Sequence, residues 1–147
     1  MNVSSKNLLE EIHAFFPAGN LDLRTLSPLK LAYLGDAVFD IIIRTLVLEH
    51  NGGAVKHLHS QASSLVNAGT QARLATAMLP VMNEEEQGAY RHGRNTKASS
   101  VAKNADIHDY RNATGLETLF GYLYLSGQTG RAVELLKHAM EELHIII

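Results

Sequence analysis

Apolar residues recur at intervals of three and four positions through most of the chain, and alternating β-branched runs are few. This spacing places apolar side chains on one face of a helix, so it predicts an all-α domain. Residues 94–107 have no apolar period and are predicted to form a loop. The predicted helices cover residues 8–16, 28–49, 54–79 (two helices, or one broken helix), 84–93, 109–125 and 130–144.

Polar and conformationally special residues mark the ends of these helices. Ser27 is a good N-cap, and Pro28 suits the first helical position. Asn83 is predicted to cap a helix whose first turn contains three glutamates, which complement the positive end of the helix dipole. Gly69 is the expected break within residues 54–79, and Gly93 is the expected end of the helix that Asn83 begins.

The helix from Pro28 contains LKLAYLGDAVFD, residues 29–40, and is apolar around nearly its whole circumference. Such a helix is usually surrounded by others, so it is predicted to be the central one. Asp40 and Arg44 are four residues apart and can form an ion pair on one face. Asp36 has no such neighbour, and burying an unpaired carboxylate costs of the order of several kcal/mol. We therefore expect Asp36 to be buried with a partner from elsewhere in the chain.

Glu117 is the candidate partner, because it is the only acid in ATGLETLFGYLYLSG, residues 113–127. Gly115 and Gly121 would let another helix approach closely. If the two helices pack together, Asp36 and Glu117 share a site, and a divalent cation would offset their repulsion. Magnesium suits such a site because it binds one or two carboxylates and keeps several waters. The alternative is a structural site in which an arginine or lysine pairs with the acids.

Composition limits the class of protein. A chain of 147 residues, 46% of them hydrophobic, fits one domain, with residues 1–20 as an N-terminal helical extension. The net charge of −2 gives no global sign of nucleic-acid binding, so phosphate affinity would need a local patch or a metal. There are no cysteines, no secretory signal and no apolar run long enough to span a bilayer, which predicts a soluble, cytoplasmic protein.

Three segments resemble the catalytic domain of ribonuclease III. LAYLGDAVFD, residues 31–40, resembles the leucine-glycine-aspartate signature of the family, and residues 113–127 resemble its second acidic helix. YRHGRNTKASSVAKNADIHDYRNATGLE, residues 90–117, resembles the loop of the Mini-ribonuclease III subgroup, which consists of the catalytic domain without a double-stranded-RNA-binding domain. The resemblance covers roughly residues 21–145 and implies a ribonuclease III-like helical endonuclease domain.

The resemblance also implies roles for individual residues. Asp36 and Glu117 match the metal-binding, catalytic acids of the family. Full-length ribonuclease III usually has glutamate where this chain has Ala32 and aspartate where it has Thr114, but the Mini subgroup is reduced in the same way. Thr114 could support a metal-bound water, although a hydrogen bond to its own helix is the competing role.

The activity implied by the resemblance is Mg²⁺-dependent hydrolysis of double-stranded RNA, leaving 5′-phosphate and 3′-hydroxyl ends. Metal held by the two acids would lower the pKa of a water nucleophile and offset phosphate charge. The subgroup also implies a homodimer and maturation of the 23S ribosomal RNA precursor. Without a separate RNA-binding domain, selection of that substrate is expected to need either a particular RNA shape or a ribosomal protein bound beside it. No membrane partner is expected.

A basic cluster is the candidate RNA-binding surface, because A-form RNA is recognised largely through its shape, phosphates and 2′-hydroxyls. The alternative is an ordinary solvated loop. The residues expected to contact RNA are Arg91, Arg94, Asn95, Lys97 and Lys103.

Other chemistries fit the sequence less well. His57 and His59 do not share a helix face, so no zinc site is predicted. His108 and Asp109 suggest a metal-dependent phosphohydrolase of the HD type, but no aspartate follows Asp109 to complete its ligands. A non-catalytic RNA-binding or ribosome-assembly module with a ribonuclease III-like fold stays open as the alternative function.

Overall fold

The computed structural model describes residues 6–96 and 106–147. Within these ranges the chain is helical, which confirms the predicted all-α class. Residues 97–105, in the predicted loop, lie outside the described residues. The elements are α1 (Leu8–Phe15), α2 (Pro28–His50), α3 (Val55–Val66), α4 (Ala68–Met78), a 3-10 turn (Leu79–Val81), α5 (Glu84–Arg94), α6 (Ile107–Leu125) and α7 (Thr129–Glu142).

The central helix is α6, around which α2, α4, α5 and α7 pack. By contrast, α2 buries one side, including Phe39 and Ile43, and exposes Tyr33, Ile41 and Leu48. The prediction that α2 is the central helix was therefore wrong. An apolar circumference predicts burial but does not show whether the chain itself covers every side. None of the described helices combines the length and apolar character needed to cross a membrane.

Two glycines let α2 and α6 touch through their backbones. A Cβ at Gly35 would overlap the carbonyl oxygen of Glu117, and one at Gly121 would overlap the carbonyl oxygen of Leu31. The close approach expected at Gly121 is thus present, and Gly35 is its counterpart on α2. This crossing determines which side chains of α2 face α6.

Asn67, rather than Gly69, separates the two helices within residues 54–79. It ends α3 and caps α4, because its side chain accepts a hydrogen bond from the Thr70 N–H at 2.9 Å. The predicted break at Gly69 was wrong, since this glycine lies inside α4. An asparagine at an N-cap position begins one helix and thereby ends the helix before it, so no residue in a left-handed conformation is needed. Ser27 occupies the N-cap position of α2 but makes no side-chain capping bond.

Asn83 begins α5 with the predicted cap. Its side chain accepts from the Glu86 N–H at 2.8 Å, and the Glu86 carboxylate accepts from the Asn83 N–H at 2.9 Å. Gly93 does not end the helix, which continues through Arg94. A Cβ at Gly93 would overlap Thr118 on α6, so this glycine serves close helix packing instead.

A buried ion pair joins α5 to α7. Glu86 is only 1% exposed and accepts hydrogen bonds from Arg131 at 2.9 and 3.0 Å. Arg131 also donates to the Val81 carbonyl oxygen at 2.7 Å. Burial by itself raises the pKa of Glu86, but hydrogen bonds from Arg131 and the Asn83 backbone outweigh it and hold the pKa below its ordinary value. The carboxylate is therefore ionised and depends on Arg131.

We expect Arg131→Met to destabilise the protein by about 3–5 kcal/mol, because it leaves the Glu86 charge buried without its partner. Urea unfolding measures the change. Arg44→Met is the matched control. It removes an exposed arginine whose ion pair with Asp40 spans 2.9 Å, and it should cost no more than about 1 kcal/mol. Equal losses in the two variants would contradict a special role for the buried pair.

Candidate active site

The crossing of α2 and α6 brings Asp36 and Glu117 together. Gly35 packs on the backbone of Glu117, and the next residue, Asp36, interacts with its side chain. Burial, a hydrogen bond with Asp36 and the charge of Asp36 together raise the pKa of Glu117 to about 8. At neutral pH the Glu117 carboxyl is therefore mostly protonated.

The acid pair lies at the surface. Glu117 is half-buried, but Asp36 is exposed, so the prediction that Asp36 is buried was wrong. Among its apolar neighbours in the sequence, Val38 and Phe39 are buried in the core, whereas Tyr33 lies on the uncovered side of α2, so these side chains do not enclose Asp36. A surface depression of about 390 Å³ surrounds it and is lined by Tyr33, Leu34, Asp36, Ala37 and Asp40.

No cationic side chain neutralises the pair within residues 6–96 and 106–147. In these ranges neither Asp36 nor Glu117 forms an ion pair with an arginine or lysine. Asp40 pairs with Arg44 at 2.9 Å, which confirms the predicted local ion pair. The alternative in which the two acids pair with a basic residue therefore finds no partner in the described part of the chain.

The chemistry of this pair suits a divalent cation. A half-buried carboxyl whose pKa is raised by burial and by a second carboxyl gains from added positive charge. Two carboxylates are a sufficient protein contribution for Mg²⁺, which keeps waters as its other ligands. The described residues contain no group of three or more histidine, cysteine, aspartate or glutamate side chains that could hold a metal. Asp36 and Glu117 would thus act as a two-carboxylate site.

Thr114 lies one helical turn before Glu117 and is buried. Its hydroxyl donates to the Tyr110 carbonyl oxygen at 3.0 Å, which is the bond within the helix that competed with a role at a metal-bound water. Because the hydroxyl proton is used in this bond to Tyr110, the hydroxyl can act towards the acid pair only as a hydrogen-bond acceptor.

The end of α5 flanks the same part of α6. Gly93 packs against Thr118, the residue after Glu117. Beyond it, Arg94 is half-buried, with its guanidinium carbon 5.8 Å from the centre of the Tyr90 ring. Arg91 and Asn95 are exposed at this end. The structure thus places three of the five predicted RNA-binding residues together, while Lys97 and Lys103 lie outside the described residues.

Sequence reasoning assigned no role to Tyr90 or Asn112. The Tyr90 side chain is 1% exposed, and its hydroxyl donates to the Asn112 side chain at 3.1 Å. A Cβ at Gly115 would lie 2.7 Å from the Tyr90 ring, so this glycine makes room for it. The available signal was the spacing of Glu86, Tyr90 and Gly93, which places all three on one helix face.

Comparison with known proteins supplies family relationships. The family profile described as Ribonuclease III domain matches residues 29–128. Mini-ribonuclease 3 of Clostridium tetani is 44% identical over 79% of this chain and 78% of its own length. Mini-ribonuclease 3 of a Thermoanaerobacter species is 36% identical over 96% of this chain and 97% of its own length. The crystal structure of protein FN1578 from Fusobacterium nucleatum has a TM-score of 0.72, with 26% identity, and covers 82% of this chain and 97% of that one.

We expect the metal-free protein to lose stability as the pH rises from 5 to 9. The pKa of Glu117 rises from an ordinary 4.5 to about 8 on folding, so its contribution is complete below 4.5 and lost through 8. The size is of the order of a few kcal/mol. Thermal unfolding in a chelator measures it, and Glu117→Gln should flatten the profile.

Glu142→Gln, at an exposed position, is the control and should keep the parental pH profile. An unchanged slope in Glu117→Gln would show that the pKa of Glu117 is not raised by folding.

Proposed function

Because the chain belongs to the ribonuclease III family, and within it to the Mini-ribonuclease III group of endoribonucleases, we propose that it cleaves double-stranded RNA with the help of Mg²⁺. The observation that carries this proposal is the pairing of Asp36 with Glu117, whose pKa is raised to about 8 by burial and then by the hydrogen bond and charge of Asp36, so that added positive charge would favour its ionised form. Both acids occupy a surface that a large substrate can reach.

Asp36 and Glu117 are the proposed catalytic and metal-binding residues. When bound, Mg²⁺ would acidify a water nucleophile and neutralise charge on the reacting phosphate. Asp36 offers an exposed carboxylate, while Glu117 is held by the backbone contact at Gly35. The proposed products carry 5′-phosphate and 3′-hydroxyl ends, and no covalent protein intermediate is needed. Thr114 could accept a hydrogen bond from a water in this site.

The end of α5 is the proposed RNA-contacting surface. Arg91, Arg94 and Asn95 supply charge and hydrogen-bond donors at the end of α5 that packs against α6 one residue from Glu117, and Lys97 and Lys103 are proposed to extend this surface. The whole chain carries a net charge of −2, so RNA affinity depends on this local cluster. Binding is therefore expected to weaken steeply with salt.

The proposed active form is a homodimer that uses the exposed side of α2. Leu29, Tyr33, Ile41 and Leu48 follow one face of the helix, and Tyr33 is 84% exposed. An exposed apolar stripe of this kind, crossed by the Asp40–Arg44 ion pair, suits a protein interface. A twofold pair of sites matches the twofold symmetry of an RNA duplex, so one dimer can cut both strands. Gly121 cannot serve this contact because α2 of the same chain covers it.

The proposed physiological substrate is a double-stranded stem of the 23S ribosomal RNA precursor. Membership of the Mini-ribonuclease III group supports this substrate. The basic surface at the end of α5 is small, so recognition of one stem is expected to need a particular RNA shape. A ribosomal protein bound beside the stem is the proposed assisting partner.

We expect Asp36→Asn and Glu117→Gln each to reduce cleavage of a labelled RNA duplex in Mg²⁺ by roughly 100-fold to 1,000-fold or more, because each removes charge that serves the reacting phosphate. Circular dichroism checks folding. Asp40→Asn is the matched control on the same helix face, since Asp40 already pairs with Arg44, and it should keep most of the activity.

Loss of activity in Asp40→Asn equal to that in Asp36→Asn would remove the special role of the acid pair. If the parent protein leaves both the duplex and the ribosomal precursor stem intact at every Mg²⁺ and salt concentration, the result would instead favour a non-catalytic RNA-binding module.

We expect Tyr33→Glu combined with Ile41→Glu to convert the dimer to a monomer at micromolar concentration, because both place charge within the apolar stripe of α2. Sedimentation velocity measures the change. Arg73→Glu, on the exposed surface of α4, is the control and should stay dimeric. A dimer that survives the double substitution would place the interface elsewhere.

A further inference from the structure

The inner face of α5 makes three different contacts. At one end, Glu86 pairs with Arg131 of α7. In the middle, Tyr90 packs against Gly115 of α6, and at the far end Gly93 packs against Thr118. The first contact lies away from the acid pair, but the other two bracket the turn of α6 that contains Glu117. The position of the last turn of α5 relative to Glu117 therefore depends on Tyr90 and Gly93.

Tyr90 has both an apolar and a polar contact in this position. Its side chain is 1% exposed, and its hydroxyl donates to the Asn112 side chain at 3.1 Å. Burial raises the pKa of the phenol, although the charge of Arg94 opposes this effect. The hydroxyl is therefore protonated and remains a donor to Asn112. This bond fixes the ring at a specific point along α6.

Arg94 lies one turn after Tyr90 on the same helix and stacks on its ring. The guanidinium carbon is 5.8 Å from the ring centre, within the range of a cation–π interaction. Arg94 also donates to the Asn95 side chain at 3.4 Å. No carboxylate among the described residues pairs with Arg94. The guanidinium is thus oriented by a ring, and its charge is not neutralised by a neighbouring acid.

We propose that Tyr90 is a positioning residue for Arg94. Through its bond to Asn112, it holds the guanidinium at the end of α5 that packs against α6 one residue from Glu117, ready to bind a phosphate of the RNA backbone. This inference rests on the proposed function and deepens it, because it assigns one defined contact to the end of α5. Holding the arginine in place before RNA arrives reduces the conformational entropy lost on binding.

The test combines Tyr90→Phe and Arg94→Ala, alone and together, in the full-length enzyme with Mg²⁺ and a labelled RNA duplex. Phenylalanine keeps the ring and loses only the bond to Asn112. Tyr90→Phe should raise KM by about threefold to tenfold with kcat unchanged, as expected for the loss of one hydrogen bond that acts through binding. In the Arg94→Ala background it should have no further effect on KM.

Tyr122→Phe is the matched control. It removes another tyrosine hydroxyl between α5 and α6, whose bond to Glu85 at 3.0 Å lies near the opposite end of α5. This variant should leave KM unchanged. Duplex binding in a chelator, followed by fluorescence anisotropy, gives a second readout that needs no cleavage. There, Arg94→Ala should reduce the salt slope by about one.

An equal effect of Tyr90→Phe with and without Arg94, or no effect on KM at all, would overturn the inference. Failure of the proposed function gives a different result, because the parent would then leave the duplex intact, or Asp36→Asn and Glu117→Gln would cleave it as well as the parent. If the parent is active, the acid variants are inactive and the effects of Tyr90→Phe and Arg94→Ala are additive, only the positioning role is rejected.

Discussion

The backbone contact between α2 and α6 is the constraint on which the rest of the structure depends. It exists because Gly35 and Gly121 lack a Cβ, and any side chain at either position would push the helices apart. The same crossing brings the rings of Phe39 and Phe120 into an edge-type contact in the core, with ring centres 5.7 Å apart. Core packing and the approach of the two acids thus have one origin.

Three helices contribute to the site, and each brings a different property. Exposed Asp36 comes from α2, while α6 contributes Glu117, whose pKa is raised to about 8 mainly by burial. At the flank, α5 places Arg94 over the Tyr90 ring. The acids proposed to bind a cation and the arginine proposed to bind phosphate thus come from helices that pack on one another, and no ion pair joins them in the described part of the chain. Such separation is what a nuclease acting on a polyanion needs.

The parts of the structure that sequence reasoning predicted depend on neighbours along the chain. The Asn83 cap and the Asp40–Arg44 pair follow from spacings of three and four residues. Predicting the site required one further inference, namely that two apolar helices with small residues would pack against each other. The hydrogen bond between Tyr90 and Asn112 joins residues 22 apart, and no local rule predicts it. The exposure of α2 was missed for a different reason, since apolar periodicity does not distinguish a face covered by the rest of the chain from one left exposed.

The most direct test of the central claim is the number of protons released when Mg²⁺ binds at pH 7. Titration calorimetry in buffers of different ionisation enthalpy measures it. With the pKa of Glu117 at about 8, the free site is mostly protonated, so binding to both carboxylates should release close to one proton per ion. Glu117→Gln should abolish the release. Binding without proton release, or unchanged release in the variant, would contradict a metal site formed by Asp36 and Glu117.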